Sequence, residues 1–464
     1  MGISDIYQIG IKALAADRVA LQVISHNIAN ANTPGYVRQE AILSTAIPQE
    51  IAGKLLGRGV EVQEIRTIQN SLLDFQIFSA AQKLGRYETE SAMASQLDEI
   101  VGESANALSD SISDFFNAFQ DLASFPENIP KRIAAVGAAK SMTQIFHQLS
   151  SQLSEMRKDA DKQIQESVKR VNDLLEQIAA LNQQIFELGA QGTQAADYAA
   201  KRYQLLDELS KLIDFTYFES DNGMINISTA GMTILEGTNA ASLHTEADAS
   251  NDGLSRIVLT TISGEDVDIT DRIQAGSIKG ALVVRDEHMK DALDALDELA
   301  YQIVNDVNAI HQAGYGLDGN TGYLFFQPLS GVENAASLIA VSSDVDDPTH
   351  VAAAQEPVAG DNRNALAIAE LQNSLTMNGG SATYHDFLSS IIAAVGSVSR
   401  EASLNYDVQE SIHEQAVNQR EMVSGVSLEE EMAKLVQFQQ SLEAAARIIE
   451  VSSEIMDTVI SLGE

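Results

Sequence analysis

The chain has 464 residues, 45% of them hydrophobic and only 5% aromatic, with no Trp and no Cys. Asp and Glu number 66 against 29 Lys and Arg, a formal net charge of −37. The length predicts two to four domains. The charge argues against nucleic-acid and membrane-surface roles, and the lack of Cys excludes disulfides and thiolate metal sites.

Residues 3–30 read as one amphipathic helix. Ile6, Ile9, Ala13, Ala16, Ala20 and Val23 recur at steps of three and four, the spacing of a helix seam that faces a partner. Met1-Gly2-Ile3-Ser4-Asp5 has no basic stretch and no apolar core follows, so no cleaved leader is expected. No apolar run approaches the ~20 residues that span a bilayer, so no membrane insertion is expected. Asn30 and Asn32 help to end this helix, and Thr33-Pro34-Gly35 reverses the chain. His26-Asn27 is open to a second reading, as a polar contact site. Residues 37–66 hold short apolar pieces among Gly53, Gly57 and Gly59 and read as extended or hairpin-like.

From 67 to 212 the spacing is helical. Phe115, Phe116 and Phe119 form a stripe whose periodicity favours core burial over a binding groove. Pro126 and Pro130 mark a bend. Leu153, Met156, Ala160, Ile164, Val168, Val171, Leu175, Ile178 and Ile185 then follow a long helix. Near 214 the pattern changes to short β-branched runs separated by Asp221-Asn222-Gly223, Asn251-Asp252-Gly253 and Ser263-Gly264, a small β-rich unit built of hairpins. Helical spacing returns near 277, residues 312–365 are loop-rich, and helices run on to the end with breaks near Gly379-Gly380 and Ser424-Gly425. The last helix repeats the seam of the first: Leu435, Phe438, Leu442, Ala445, Ile449, Met456 and Val459, with Ser452 in one slot. Ser427 and Glu430 have the spacing of a capping box in front of it.

The predicted fold is mainly α with a β-rich insertion, an elongated nested-domain subunit of long helical bundle and coiled coil whose terminal helices pair. Residues 1–66 plus 410–464 form the terminal coiled-coil inner-core domain, 67–213 plus 277–409 a helical rod, 214–276 the β-rich subdomain, and 327–360 a short loop segment. The simplest path runs out along the rod, turns at the β region and returns.

No nucleophile elbow, zinc-protease, P-loop or dinucleotide motif occurs, and the eight His residues form no i, i+4 ligand pair. Asp318-Gly319-Asn320 lacks the spaced ligands of a calcium loop and reads as a turn. No catalytic residue, cofactor or metal is expected. A carbohydrate-cleaving carboxylate pair is the residual enzymatic alternative, testable by peptidoglycan release.

Ser25-His26-Asn27-Ile28-Ala29-Asn30-Ala31-Asn32-Thr33-Pro34-Gly35-Tyr36 resembles the N-terminal signature of bacterial flagellar axial (rod and hook) proteins. Ser424-Gly425-Val426-Ser427-Leu428-Glu429-Glu430-Glu431 through Gln440 is similar to their C-terminal signature. Interior segments narrow the resemblance to the hook-associated protein 1 family: Gly276-Ser277-Ile278-Lys279-Gly280-Ala281-Leu282, Asn308-Ala309-Ile310-His311-Gln312, Gly314 to Asn320, and Asp346-Asp347-Pro348 with Gly360 to Ala365. The resemblance implies a structural subunit at the hook–filament junction, formed by ring-like self-assembly, with the hook protein and a second hook-associated protein as neighbours. It implies export through the flagellar type III channel, an extracellular location, and a cytoplasmic export chaperone that binds the C-terminal region. It makes the two seams, with Asn27 and Asn30 at the turn, the assembly interface. The outer domain that follows Phe325-Phe326 in that family is reduced here to 327–360. The alternatives are another axial protein (hook or distal rod) and, in a different class, a soluble coiled-coil adaptor.

Overall fold

The structure, a computed structural model, describes residues 3–33, 35–51, 54–190 and 196–463. Pro34, read above as part of the chain reversal, lies outside them. Ten helices occur among the described residues: α1 (Ile3–Ala29), α2 (Ser71–Ser124), α3 (Ile129–Ala190), α4 (Ala196–Leu212), α5 (Gly276–Val283), α6 (Met289–His311), α7 (Ala335–Leu338), α8 (Arg363–Glu370), α9 (Tyr384–Ser424) and α10 (Leu428–Gly463). The strands are β1 (Gln39–Thr45), β2 (Gln49–Ile51), β3 (Lys54–Leu56), β4 (Val60–Thr67), β5 (Thr216–Glu219), β6 (Ile225–Thr229), β7 (Met232–Glu236), β8 (Asn239–Ala240), β9 (Ser242–Ala247), β10 (Ser255–Thr260) and β11 (Asp266–Asp268).

The spine is α2, 54 residues and therefore about 80 Å long at 1.5 Å per residue. Asn70 caps its start by accepting the Leu72 N–H. The chain reverses at Phe125–Asn128, where Pro126 stops α2, and α3 returns over 62 residues. Arg132 locks this reversal by donating to the carbonyls of Pro126 and Val351. α9 runs antiparallel along α2: Tyr384 stacks on Phe116 near one end, and Arg420 meets Asp74 near the other.

Two apolar cores fill the rod. The first joins the distal half of α2, the start of α3, α6 and the start of α9; Phe115, Phe116 and Phe119 are buried there with Phe325 and Phe326. The second joins Phe78, the rest of α3, α4, α5 and the β-rich subdomain.

That subdomain is a four-stranded antiparallel sheet, β5-β6-β7-β8, and a three-stranded one, β9-β10-β11, as the hairpin spacing predicts. Its position corrects the expected path. The chain turns at Pro126, and the β strands pack against the second half of α3 and α5. Both ends of the subdomain are tied to the proximal half of the rod, because Gln82 on α2 donates to the Phe215 carbonyl and Arg86 donates to that of Gln274.

Close backbone approach makes this second core sensitive to a single methyl group. A Cβ on Gly280 would lie 2.4 Å from the Arg86 carbonyl oxygen and 2.9 Å from Thr89 Cβ. Gly280→Ala should destabilise the rod by about 1–3 kcal/mol, the cost of overpacking, read as a lower urea midpoint by circular dichroism. Unchanged unfolding would show that α5 can shift away freely.

Segment 327–360 holds α7 and 3-10 turns at 343–345 and 348–350, with isolated bridges pairing Phe326 with Val341 and Tyr315 with Ala354. Asp318-Gly319-Asn320 is a turn: Asp318 accepts from the Asn320 N–H and side chain and from the Tyr323 hydroxyl. No carboxylate or His cluster of metal-binding form occurs among the described residues.

Candidate assembly interface

The two terminal seams meet each other. A Cβ on Gly10 would lie 2.8 Å from Ile449 Cγ1 and 3.5 Å from the Ala445 carbonyl oxygen. Asp17, buried, accepts from the Ser441 hydroxyl at 2.8 Å, and Asn27 donates to Glu431 at 2.8 Å. Contacts that rise along α1 fall along α10, so the pair is antiparallel. The small residues explain the close approach: Ala16, Ala20 and Ala445 are buried, and Ala13 is half-buried between turns.

Burial fades toward the free end of the pair. Val23 and Asn27 are buried, Ile9 and Asn30 are half-buried, and Ile6 is exposed. On α10, Leu435, Phe438, Leu442 and Ile449 are half-buried, Ser452 is buried, and Met456 and Val459 are exposed. The structure therefore gathers the middle of both seams but leaves Ile6, Met456 and Val459 uncovered within the chain.

A ribbon of β1 and β4 runs along α1 away from the turn. Lys12 pairs with Glu61 at 3.9 Å, and a Cβ on Gly59 would approach Ile9 Cα at 3.4 Å. β2 and β3 form a second hairpin at the far end of this ribbon.

At the opposite end the pair joins the rod. Asn27 satisfies all its polar valences: its oxygen accepts from the Gln39 N–H and the Tyr36 hydroxyl, and its amide donates to the Gln39 carbonyl and to Glu431. The contact reading of this residue is thus the structural one, while Asn30 closes the helix by donating to the His26 carbonyl. Burial, with Asp197 and Glu431 nearby, pushes the Tyr36 phenol up to about 12. The Tyr36 hydroxyl also lies 3.0 Å from His26 Nδ1.

Arg420 of α9 donates to the Gly35 carbonyl, lies 3.4 Å from the buried Asp74 and sits 4.4 Å over the Tyr203 ring. Burial raises the Asp74 carboxyl against the opposing pull of Gln69 and Arg420. Arg38 bonds Glu430 at 2.8 Å, and its N–H donates to the Ser424 carbonyl.

Sequence spacing missed this joint. Glu431 sits in an acidic run that reads as helix capping. Only half of the predicted capping box forms: the Glu430 N–H reaches Ser427 Oγ at 3.4 Å, while the Glu430 carboxylate turns to Lys434 and Arg38, which hold it below its usual range. Replacing Asn27 by Ala should cost about 1–3 kcal/mol by orphaning the Gln39 backbone and taking one donor from the buried Glu431. Hydrogen exchange should then rise in α1 and the start of α10 but not in α2. Unchanged protection would show that water replaces the amide.

The family model for the flagellar hook-associated protein FlgK helical domain matches residues 94–326, half of the chain. The chain belongs to the flagellar hook-associated protein FlgK family. A flagella basal body rod protein model matches 8–36, and the flagellar basal body rod FlgEFG protein C-terminal model matches 420–462, so the α10 seam and the α1 seam from Ile9 onward lie in segments that these models match. The flagellar hook-associated protein 1 of Salmonella typhimurium is 25% identical over 97% of this chain and 98% of its own length. That of Bacillus subtilis is 27% identical over 97% and 96%. The Salmonella alignment runs to 542 positions against 464 residues here, so that relative carries residues this chain lacks. The structure of the flagellar hook junction protein FlgK from Burkholderia pseudomallei superposes with a TM-score of 0.69 at 15% identity, over 75% of this chain and all of that one. The fold is shared, and the FlgK family makes this chain a structural component of the flagellum rather than an enzyme. No helix among the described residues is long and apolar enough to cross a membrane.

Proposed function

We propose that this chain is the junction subunit between hook and filament, and that copies join in a ring through the terminal helix pair. One observation carries the reading. After pairing with α1, α10 still exposes Leu428, Met432, Val436, Ile448, Val451, Ile455 and Val459, each between 42% and 52% exposed. Completing the burial of such side chains contributes roughly 1 kcal/mol each, about 7 in all. Association costs ~4–15 kcal/mol, so one neighbour is marginal and several neighbours per subunit are needed. A closed ring or tube supplies them.

The hook protein and a second hook-associated protein are the proposed axial neighbours. An export chaperone would cover the same C-terminal stripe before secretion through the type III channel. The seam ends that lack cover in the chain, Ile6, Met456 and Val459, belong to this interface.

Removing the last 20 residues should abolish recovery of the chain in sheared flagella while the rod melts as before. Retained incorporation would refute the reading. Recovery of the intact chain in cell lysate alone would favour the soluble adaptor instead.

A further inference from the structure

The described residues of β2 and β3 form an arm that continues beyond the β1–β4 ribbon. The Ala46 N–H donates to the Gly59 carbonyl and closes its neck. Beyond that neck Ile47 is 82% exposed, Gly57 faces open space and Arg58 is exposed. Ile47 and Arg58 thus stand next to the neck, one apolar and one cationic.

Charge selects the occupant. Residues 1–67 contain six Lys and Arg and six Asp and Glu, so the whole net charge of −37 lies in the remainder. Between Ala46 and Gly59 the chain carries Lys54 and Arg58 against Glu50 alone. α10 carries seven acids against Lys434 and Arg447. Near its start Leu428, Met432 and Val436 form an exposed apolar strip at steps of four, flanked by exposed Glu429. Ile47 beside the neck matches the apolar strip, and Arg58 matches Glu429.

The arm cannot serve its own α10 this way. Its neck lies level with Ile9, opposite the region of Ile449, whereas Met432 lies level with Asn27. Seventeen residues of helix, about 26 Å, separate those levels. The ribbon also carries the arm away from Met432, and each leg of six residues spans no more than ~20 Å. We infer that the β2–β3 arm docks on the Leu428-Met432-Val436 strip of a second copy, with Arg58 beside its Glu429. The contact is head-to-tail, the kind that closes rings or extends tubes. It rests on the assembly reading above and names one of its contacts.

Because the chain has no Cys, introduced thiols stand alone. Full-length chain carrying both Ile47→Cys and Met432→Cys, oxidised in sheared flagella and separately as concentrated purified protein, should give a ladder of covalent oligomers on non-reducing gels. Either substitution alone should give monomer. Dimers from Ile47→Cys alone would mean that arms meet arms and would overturn the proposal. So would the absence of any ladder in both preparations. A ladder from purified protein with no chain in the flagella would sink the junction reading and leave the docking intact. Arg58→Glu should lower ladder yield about threefold, the size an exposed ion pair supports, and Glu429→Arg should restore it. Equal yields across those variants would overturn the Arg58 contact.

Discussion

Arg285→Ala should be among the most destabilising single substitutions in the rod, costing about 3–5 kcal/mol. Arg285 is 1% exposed, in the π-helical turn Val284–His288 between α5 and α6. It donates to the Asp161 carboxylate on α3, to the Ser255 carbonyl on β10, and through two nitrogens to Asp286. Asp161 also accepts the N–H and hydroxyl of Ser255 at 2.8 and 3.0 Å. Arg157 completes the knot: it donates to the Arg285 carbonyl and reaches Asn251 and Asp252 in the turn before β10. Helix, π turn and β-rich subdomain are thus held through one guanidinium. Removing it leaves the buried Asp161 without its cation.

The decisive comparison is with Arg285→Met, which keeps the stem volume and loses the charge. It should cost nearly as much as Ala, because the penalty comes from the orphaned carboxylate. Adding Asp161→Asn to Arg285→Met should recover a large part of the loss, because the amide oxygen still accepts from Ser255 while the unpaired charge is gone, a non-additivity expected for members of one network. Urea unfolding of the three variants measures this. A loss below about 1 kcal/mol for Arg285→Ala would show that solvent reaches Asp161.

Neither this knot nor the joint at Arg420 was legible in the sequence, and the reason is physical. Periodicity reports which face of a helix is apolar. Ile9, Ala13, Ala16 and Ala20 therefore announced a seam, and Phe115, Phe116 and Phe119 a core. Turn chemistry announced Pro126 and the hairpins of the β-rich unit. A single polar side chain whose partner lies hundreds of positions away leaves no such local trace. Asn27 and Glu431 are 404 residues apart, and Glu431 looks like its acidic neighbours until the fold buries it.

The misplaced β-rich subdomain has a similar origin. Local spacing fixed its strands, but its seat depends on Gly280 touching the backbone at Arg86 and on Arg285 reaching α3. Gly276 and Gly280 carried the family resemblance without disclosing their reason, which is close approach of backbone.

A histidine at the distal end sets the expected response to acid. His311 is fully buried at the end of α6; its Nδ1 donates to the Tyr323 carbonyl at 2.8 Å, and its Nε2 accepts the Ala352 N–H at 2.9 Å. Those two bonds fix the neutral tautomer. Burial lowers its pKa from the ordinary 6.5 to about 4, with the Tyr323 carbonyl and Asp344 resisting the shift and Arg132 adding to it. The unfolded chain takes up this proton as pH falls through 6.5, while the folded chain refuses it until near 4. The stabilisation is therefore complete above 6.5 and lost progressively between those values. At pH 4.5 the loss should be about 2–3 kcal/mol.

Asp74 and Asp297, whose carboxyls burial raises, act in the opposite direction and gain stability on acidification. The test is thus a difference. His311→Gln keeps one donor and one acceptor but does not titrate. Urea midpoints at pH 7 and pH 4.5 should fall more steeply for the natural chain than for His311→Gln, by that amount. Parallel falls would place the acid sensitivity elsewhere. His311 thus ties Tyr323 to Ala352 across the loop-rich stretch 324–351. Acid should accordingly loosen first the tie that His311 makes between Tyr323 and Ala352, visible as faster exchange at 323–326 and 351–354 before the joint with the terminal helices opens.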